Sequence, residues 1–241
     1  MTRTLPSIVL VIGAAFALTG CGETKQEVIA RFAPQCAAMR EKLKDLHAKL
    51  PAPGQISEPI EKVEFEPPTP VYDAKSKTGN TEIVMDEDLL RPEDDPEFDL
   101  MLALDLNRCL AWAGPESPLA ESAKSSAAGS IEEEFKRALS WQYLVVVRVV
   151  SYEPPQIVAD GKFSGGDAAF EAFVFRASDS KLLVAFPFTA KSAENISYSY
   201  KPTDSKQERA AAFVKSSAYT AARKTLAEKL AQFTGGQFRF D

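Results

Sequence analysis

The chain has 241 residues, a formal net charge of −6 and 45% apolar side chains, which is the balance of an ordinary folded protein. Three Cys and one His exclude a disulfide-dense scaffold, a Cys-rich zinc module and any site that needs two imidazoles. The acidic balance predicts no nucleic-acid partner, because such proteins need a basic surface to displace counterions.

The first twenty residues have the pattern of an export signal. Arg3 supplies a positive start, and the chain is then apolar or small from Ile8 to Leu18. This run is about half of the roughly 20 residues that span a bilayer. Its length and flanks are typical of a secretory signal, so we expect residues 1–20 to be removed on export.

The signal ends in Leu18-Thr19-Gly20-Cys21, which resembles the lipobox of bacterial lipoproteins. In that class the Cys thiol receives a diacylglycerol and the chain is cut just before it. The resemblance implies that Cys21 is the lipidated N-terminus and the membrane contact, since two or three acyl chains anchor a protein stably. The alternatives are an ordinary signal peptide with an incidental Cys, or an uncleaved helix.

The residue after the lipobox bears on the location. Gly22 follows Cys21, whereas an Asp there favours the inner membrane in enteric-type lipoproteins. The resemblance therefore implies a cell-envelope protein that faces the periplasm, with the outer membrane favoured over the inner one.

Residues 21–50 predict a helix directly after the anchor. Thr24 and Glu27 form a capping box, and Pro51 ends the helix. Pro34 is expected to kink it or delay its start. The apolar positions recur every three or four residues, on one helical face: Val28, Phe32, Cys36, Met39, Leu43, Leu46 and Leu50.

Residues 51–99 predict an extended, partly ordered segment that wraps the domain. Eight of the 16 prolines lie here, and only 60–65 and 83–85 are suited to short strands. An acidic cluster invites a calcium site, but it lacks the EF-hand order, so a solvated loop is favoured. The cluster comprises Asp86, Glu87, Asp88, Glu93, Asp94, Asp95, Glu97 and Asp99.

Residues 100–241 predict an α+β domain. The apolar stretch 100–112 fits a helix or a strand, and Ser130 is the expected cap of a short helix. Alternation then predicts a central strand over 141–150 and an antiparallel hairpin over 168–190. Pro187 places the last hairpin strand at an edge or a bulge. Ile196, Tyr198 and Tyr200 suit a short fourth strand.

The C-terminal region predicts a long helix over 204–233, capped by Asp204 and stopped by Gly235-Gly236. Its stripe of small and apolar residues suits close packing on a sheet: Ala210, Val214, Ala218, Ala222, Leu226, Leu230 and Phe233. The expected fold is an antiparallel sheet of three to four strands (about 141–200) packed by this helix.

Cys36 and Cys109 form the candidate disulfide. An exported protein meets an oxidising compartment, and a bridge closing about 74 residues stabilises by roughly 4 kcal/mol in the chain-entropy model. Both residues lie among apolar neighbours, so two buried free thiols are the alternative.

No catalytic, cofactor-binding or metal-binding residue is predicted. The sequence lacks the motifs of common hydrolases, nucleotide sites and metalloproteases, and His47 is interpreted as a solvated helix residue. The hairpin aromatics fill a core or line a groove, and the core is favoured. They are Phe163, Phe170, Phe173, Phe175, Phe186, Phe188, Tyr198 and Tyr200.

The sequence thus predicts a lipid-anchored, non-enzymatic binding or structural module whose partner is an envelope protein, peptidoglycan or lipid. The alternatives are an anchored hydrolase with an unrecognised site and a carrier of apolar ligands. Converging carboxylates in a deep pocket would favour the hydrolase. An apolar cavity beneath the sheet would favour the carrier, and a flat exposed aromatic patch the interaction module.

Overall fold

A computed structural model describes residues 23–60, 65–66, 68–76, 78–89, 104–114, 127–153, 156–157, 163–192 and 206–240. The helices are α1 (Lys25–Ala48), α2 (Leu104–Trp112), α3 (Ala128–Ala138) and α4 (Lys206–Thr234), with one 3₁₀ turn at Glu87–Leu89. The strands are β1 (Val71–Asp73), β2 (Thr78–Gly79), β3 (Thr81–Met85), β4 (Tyr143–Glu153), β5 (Gln156–Ile157), β6 (Phe163–Ser164), β7 (Asp167–Arg176), β8 (Lys181–Lys191) and β9 (Gln237–Arg239).

The main sheet has four strands in the order β3-β4-β7-β8. The predicted hairpin and the interior position of β4 are confirmed, with Phe173 opposite both Val146 and Ala185. Pro187 lies on the edge strand β8, as a residue without an N–H requires. The α+β class, with a long C-terminal helix on the sheet, is confirmed.

The fourth strand is not the expected one. It is β3, which contains the short strand predicted at 83–85 and runs parallel to β4, with Thr81 opposite Tyr143 and Met85 opposite Val147. The intervening chain includes α2 and α3, and a parallel pair needs such a long crossover. The sheet is therefore mixed rather than wholly antiparallel. The strand predicted at 196–200 lies outside the described residues.

Helix α4 covers one face of the main sheet. Phe233 stacks on Phe186 of β8 with ring centroids 4.8 Å apart. The predicted stripe is confirmed at five positions, all buried: Val214, Ala218, Ala222, Leu226 and Leu230. The side chain of Ala210, and the predicted cap Asp204, lie outside the described part of the chain.

The end of α4 needs both glycines that follow it. Gly235 adopts a left-handed φ of 71° and its N–H bonds the carbonyl of Ala231, a common helix stop. A Cβ on Gly236 would meet the carbonyl oxygen of Pro70 at 2.1 Å. That close approach accompanies the parallel pairing of β9 with β1. Part of the 51–99 segment is thereby held against β9.

Helix α1 begins as predicted. The Thr24 hydroxyl accepts from the Glu27 N–H, and the Glu27 carboxylate accepts from the Thr24 N–H at 2.7 Å. Pro34 lies inside the helix and does not delay its start. Phe32 stacks on Phe135 of α3 at 4.9 Å, so α1 joins the core through α3.

The two helices between β3 and β4 test two predictions, the structure of the stretch 100–112 and the cap of the helix that follows it. The stretch that fitted a helix or a strand is helical from Leu104 to Trp112. Helix α3 begins at Ala128, after Ala127, which has no side-chain cap bond. The predicted cap at Ser130 is therefore wrong, because this residue lies in the first turn of α3.

The hairpin aromatics are core residues where the structure describes their side chains. Phe170, Phe173, Phe175, Phe186 and Phe188 are all at most 4% exposed. They point to both faces of the hairpin, and both faces are covered, which explains the excess of Phe over one core face. Phe163, Tyr198 and Tyr200 lie outside the described side chains.

Candidate functional site

A cleft of about 600 Å³ opens at one end of the main sheet, where β4 begins and the β7–β8 hairpin turns. Phe65, Glu66 and Pro68 line its other side. It is lined by Phe65, Glu66, Pro68, Trp141, Gln142, Tyr143, Arg176, Ala177, Ser178, Lys181 and Leu183. The volume is in the range of small-molecule sites.

Aromatic rings form much of the wall. Phe65 and Tyr143 approach with centroids 5.6 Å apart, and the Tyr143 hydroxyl lies 3.1 Å from the carbonyl oxygens of Glu66 and Pro68. These contacts hold Phe65, Glu66 and Pro68 beside Tyr143 at the start of β4. Burial raises the pKa of Tyr143, so the phenol stays neutral and donates to the carbonyls.

Trp141 carries the most unusual group in the cleft. The residue is only 7% exposed, and its indole Nε1 is buried without a hydrogen-bond partner in the described structure. An unsatisfied buried donor costs about 1 to 3 kcal/mol, and buried polar groups are normally bonded to protein or water.

The cleft has more positive than negative charge around it. Lys42 of α1 donates to the carbonyl of Ala177, with Nζ 5.1 Å from the Trp141 ring centroid. Burial lowers the pKa of Lys42, against the attraction of Asp179. The Lys181 ammonium is exposed and has no ion pair or hydrogen bond within the described residues.

Arg176 is already engaged at the hairpin turn. Its Nη2 and Nε lie 2.7 Å and 3.1 Å from the two carboxylate oxygens of Asp179. The hydrogen bonds from Arg176 lower the pKa of Asp179 to about 2, so the pair is fully charged at neutral pH. Arg176 is therefore already paired, and Lys181 and Glu66 are the other charged residues of the lining.

A separate buried network lies on the sheet face opposite α4. Arg148 Nε is 2.8 Å from Asp86 Oδ2, its Nη1 donates to the Pro51 carbonyl at 2.6 Å, and Nη1 is 3.5 Å from Glu171 Oε2. The other Glu171 oxygen accepts from the Ile56 N–H at 3.0 Å. The network fastens the chain after α1 to β4 and β7, which is a structural role.

His47 belongs to this network, and its predicted solvated position is wrong. His47 Nδ1 lies 2.8 Å from Asp86 Oδ1, and its side chain is 35% exposed. Asp86, expected in a solvated loop, is 15% exposed because β3 delivers it to the end of α1. Residues 90–103 and the side chain of Asp88 lie outside the described structure.

Cys36 and Cys109 are brought together as two buried thiols. The Cys36 Sγ donates to the carbonyl oxygen of Cys109 at 4.0 Å, and both side chains are at most 1% exposed. Burial raises the pKa of Cys36 to about 11, against the nearby Arg40. The contact agrees with the proximity that a disulfide needs, and the disulfide itself stays a prediction.

Cys21 and the whole lipobox lie outside the described residues. Within the described ranges, no helix is both long and apolar enough to cross a membrane. The same ranges contain no group of three or more His, Cys, Asp or Glu arranged to hold a metal ion. The exposed large apolar residues found there, Ile60, Val150 and Phe213, form no aromatic patch.

The cleft was not predicted from the sequence. Trp141 was predicted as the first residue of the central strand, which in the structure begins at Tyr143. Its neighbours Lys42 and Phe65 come from distant parts of the chain. A Trp directly before a buried β-branched strand was the available signal. It does not distinguish a core Trp from one that lines a site.

No known protein family and no curated protein matches the sequence. Solved structures show weak similarity. The PelC dodecamer from Paraburkholderia phytofirmans is 10% identical, with 66% of this chain and 92% of that chain covered and a TM-score of 0.26. Protein XCC0632 from Xanthomonas campestris is 12% identical, with 71% and 92% covered and a TM-score of 0.28.

A third similarity is to the hypothetical protein CT253 from Chlamydia trachomatis, at 14% identity. It covers 63% of this chain and 96% of that chain, with a TM-score of 0.27. Similarity this distant transfers no function, so the function below is argued from the residues of this chain.

Proposed function

We propose that the protein is a lipid-anchored component of the bacterial cell envelope whose folded body is a non-enzymatic binding module. The lipobox-like Leu18–Cys21 supports the anchor. The observation that carries the proposal is how few residues separate Cys21 from the first helix of the folded body. The N-cap of α1 is Thr24, three residues after Cys21.

The short connection defines where the body would lie. Three extended residues span at most about 11 Å, so lipids on Cys21 would hold the start of α1 at the membrane surface. The partner is then expected within the envelope: another envelope protein, peptidoglycan or lipid. Gly22 supports an outer-membrane location with the body in the periplasm.

The cleft supports binding rather than hydrolysis. Its described lining includes one carboxylate, from Glu66, and neither His nor Cys. Paired carboxylates or a nucleophile with an adjacent base are the arrangements that common hydrolases need. A wall with several apolar and aromatic side chains is instead a feature that holds a ligand.

The anchor is tested by metabolic labelling of cells with an alkyne-bearing fatty acid. We expect label in the wild type and in Cys36→Ala, the matched cysteine control, and none in Cys21→Ala. Label that persists in Cys21→Ala would overturn the anchor. The labelled protein should then separate with outer-membrane rather than inner-membrane fractions on a density gradient.

A further inference from the structure

We propose that the cleft at the start of β4 binds a short apolar peptide whose two ends are both unblocked, so that it carries one ammonium and one carboxylate. The inference deepens the proposed function, on which it rests, by giving the binding module a ligand class. It depends on three observations: one charge of each sign on the two sides of the cleft, polar side chains that suit a peptide bond, and apolar side chains in the same lining.

The two sides of the cleft carry opposite charges. Lys181 is exposed at the start of β8, and Glu66 is exposed on the other side. Neither side chain has an ion pair or a hydrogen bond within the described part of the chain. The third charged residue of the lining, Arg176, is paired with Asp179. A zwitterion therefore matches both remaining charges, whereas an anion or a cation matches only one.

The positions of these charges favour a ligand whose own charges lie apart. Lys181 lies opposite Arg176 in the β7–β8 hairpin, whereas the carbonyl oxygen of Glu66 lies 3.1 Å from the hydroxyl of Tyr143 at the start of β4. The space that they line is about 600 Å³. In a single amino acid both charged groups are on one carbon, but each added residue moves the ends of a peptide apart by up to about 3.5 Å.

Two polar side chains of the lining suit the peptide bond between those ends. Ser178 has an exposed hydroxyl with no partner among the described residues. The amide oxygen of Gln142 accepts from Asn80 Nδ2 at 3.2 Å, which leaves the amide NH₂ of Gln142 to donate. A hydroxyl that donates or accepts and an amide that donates are complementary to the C=O and N–H groups of a peptide unit.

The rest of the lining favours apolar side chains on the peptide. An apolar side chain gains from burial against such a surface, whereas a further charge would be desolvated without a partner. We expect the peptide ammonium beside Glu66 and the peptide carboxylate beside Lys181. The apolar lining consists of Phe65, Pro68, Trp141, Tyr143, Ala177 and Leu183.

The test is calorimetric titration of the purified full chain, in neutral detergent micelles at about pH 6.5, with the dipeptide leucyl-phenylalanine. At this pH both of its ends are charged. The N-acetylated dipeptide, the dipeptide amide and the doubly blocked form are the matched anionic, cationic and neutral probes. We expect one site per chain, with the zwitterion bound about fivefold more tightly than either singly blocked form and at least about tenfold more tightly than the doubly blocked one. A blocked form that binds as tightly as the zwitterion, or a zwitterion that does not bind, would overturn the proposal.

Substitutions locate the site and assign the two ends. Lys181→Met should weaken both probes that have a carboxylate about fivefold and leave both amides unchanged. Glu66→Gln should weaken both probes that have an ammonium by a similar factor and leave the acetylated ones unchanged. Lys191→Met and Glu153→Gln, at exposed positions of the far ends of β8 and β4, are the matched controls and should change no affinity. Unchanged affinities in both Lys181→Met and Glu66→Gln would place the peptide elsewhere and contradict the proposal.

The outcomes separate this inference from the proposed function. Preferential binding of a blocked probe would overturn the ligand class and leave a binding module. If none of the four probes binds, the ligand class is overturned together with the role of the cleft in binding. The anchor is decided separately by the labelling of Cys21, because these titrations do not depend on its acylation.

Discussion

The two faces of the main sheet are built in different ways, although they alternate residue by residue. One cross-strand row is Val147, Ala172 and Phe186, and this face meets α4 through the Phe186–Phe233 stack. The adjacent row is Arg148, Glu171 and Pro187, on the opposite face. A single step along each strand thus changes an apolar row into a row with a buried ion pair.

The comparison shows two kinds of stabilisation. The α4 face is stabilised by burial of apolar area, which is non-directional and needs no specific polar partner. The opposite face depends on partners delivered from far along the chain, Asp86 and the backbone of Pro51 and Ile56. A buried ion pair adds little net stability, but losing one partner is costly because the other charge stays buried.

The largest effect is expected for Arg148→Met. The substitution removes the cation that faces Asp86 and Glu171, and we expect the free energy of unfolding to fall by about 4 kcal/mol. Urea denaturation measures it. Arg176→Met, which removes an exposed ion pair on β7, is the control and should change stability little.

The double variant Arg148→Met/Glu171→Met sharpens this test. If the cost of Arg148→Met comes from the unpaired Glu171 charge, removing that charge as well should restore more than half of the lost stability. A double variant as unstable as the sum of the two single ones would contradict this explanation of the polar face.

A smaller loss is expected on the apolar face. Leu226→Ala in α4 creates a cavity at a fully buried position and should cost about 3 kcal/mol, measured by urea denaturation. Phe213→Ala, at a 37% exposed position of the same helix, is the comparison and should cost less than about 1 kcal/mol. Equal losses for the two would mean that α4 does not pack on the sheet through its buried stripe.

The cysteine pair gives the smallest effect, and this effect is present only when the two thiols are reduced. A free Cys36 has its pKa raised from 9.0 to about 11 by burial. The folded state then keeps a proton that the unfolded state loses, so stability is complete below pH 9 and falls as pH rises towards 11. The loss is roughly 2 to 3 kcal/mol relative to Cys36→Ala.

We expect the exported protein to carry the Cys36–Cys109 disulfide, in which case this alkaline loss appears only after reduction. Thiol titration of the denatured, unreduced protein should find neither residue reactive. Two reactive thiols, together with an alkaline loss in unreduced protein, would show that the bridge does not form. The high pKa of Cys36 also predicts that the reduced thiol reacts slowly while the protein stays folded.

The contrast between the faces also explains what the sequence could predict. The capping box of Thr24 and Glu27, the stripe of α4 and the alternation of β7 and β8 are local patterns, and the structure confirms them. Each is set by neighbours within a few residues or by the period of one element.

The features that were missed depend on long-range partners. A short strand at 83–85 was predicted, but it lies in a segment rich in Pro and acids, and nothing local indicates that β3 is buried beside β4. His47 and Asp86 are 39 residues apart, and Ile56 and Glu171 are 115 apart. The cleft likewise requires Lys42 and Phe65 to meet Trp141.

Attachment to the membrane is the central claim, and the mature N-terminus tests it most directly. Intact-mass and peptide mass spectrometry of protein purified from its native membrane should find a chain that begins at Cys21 and carries the mass of two or three acyl chains. A chain that retains Met1, or one processed without acyl mass, would contradict the account.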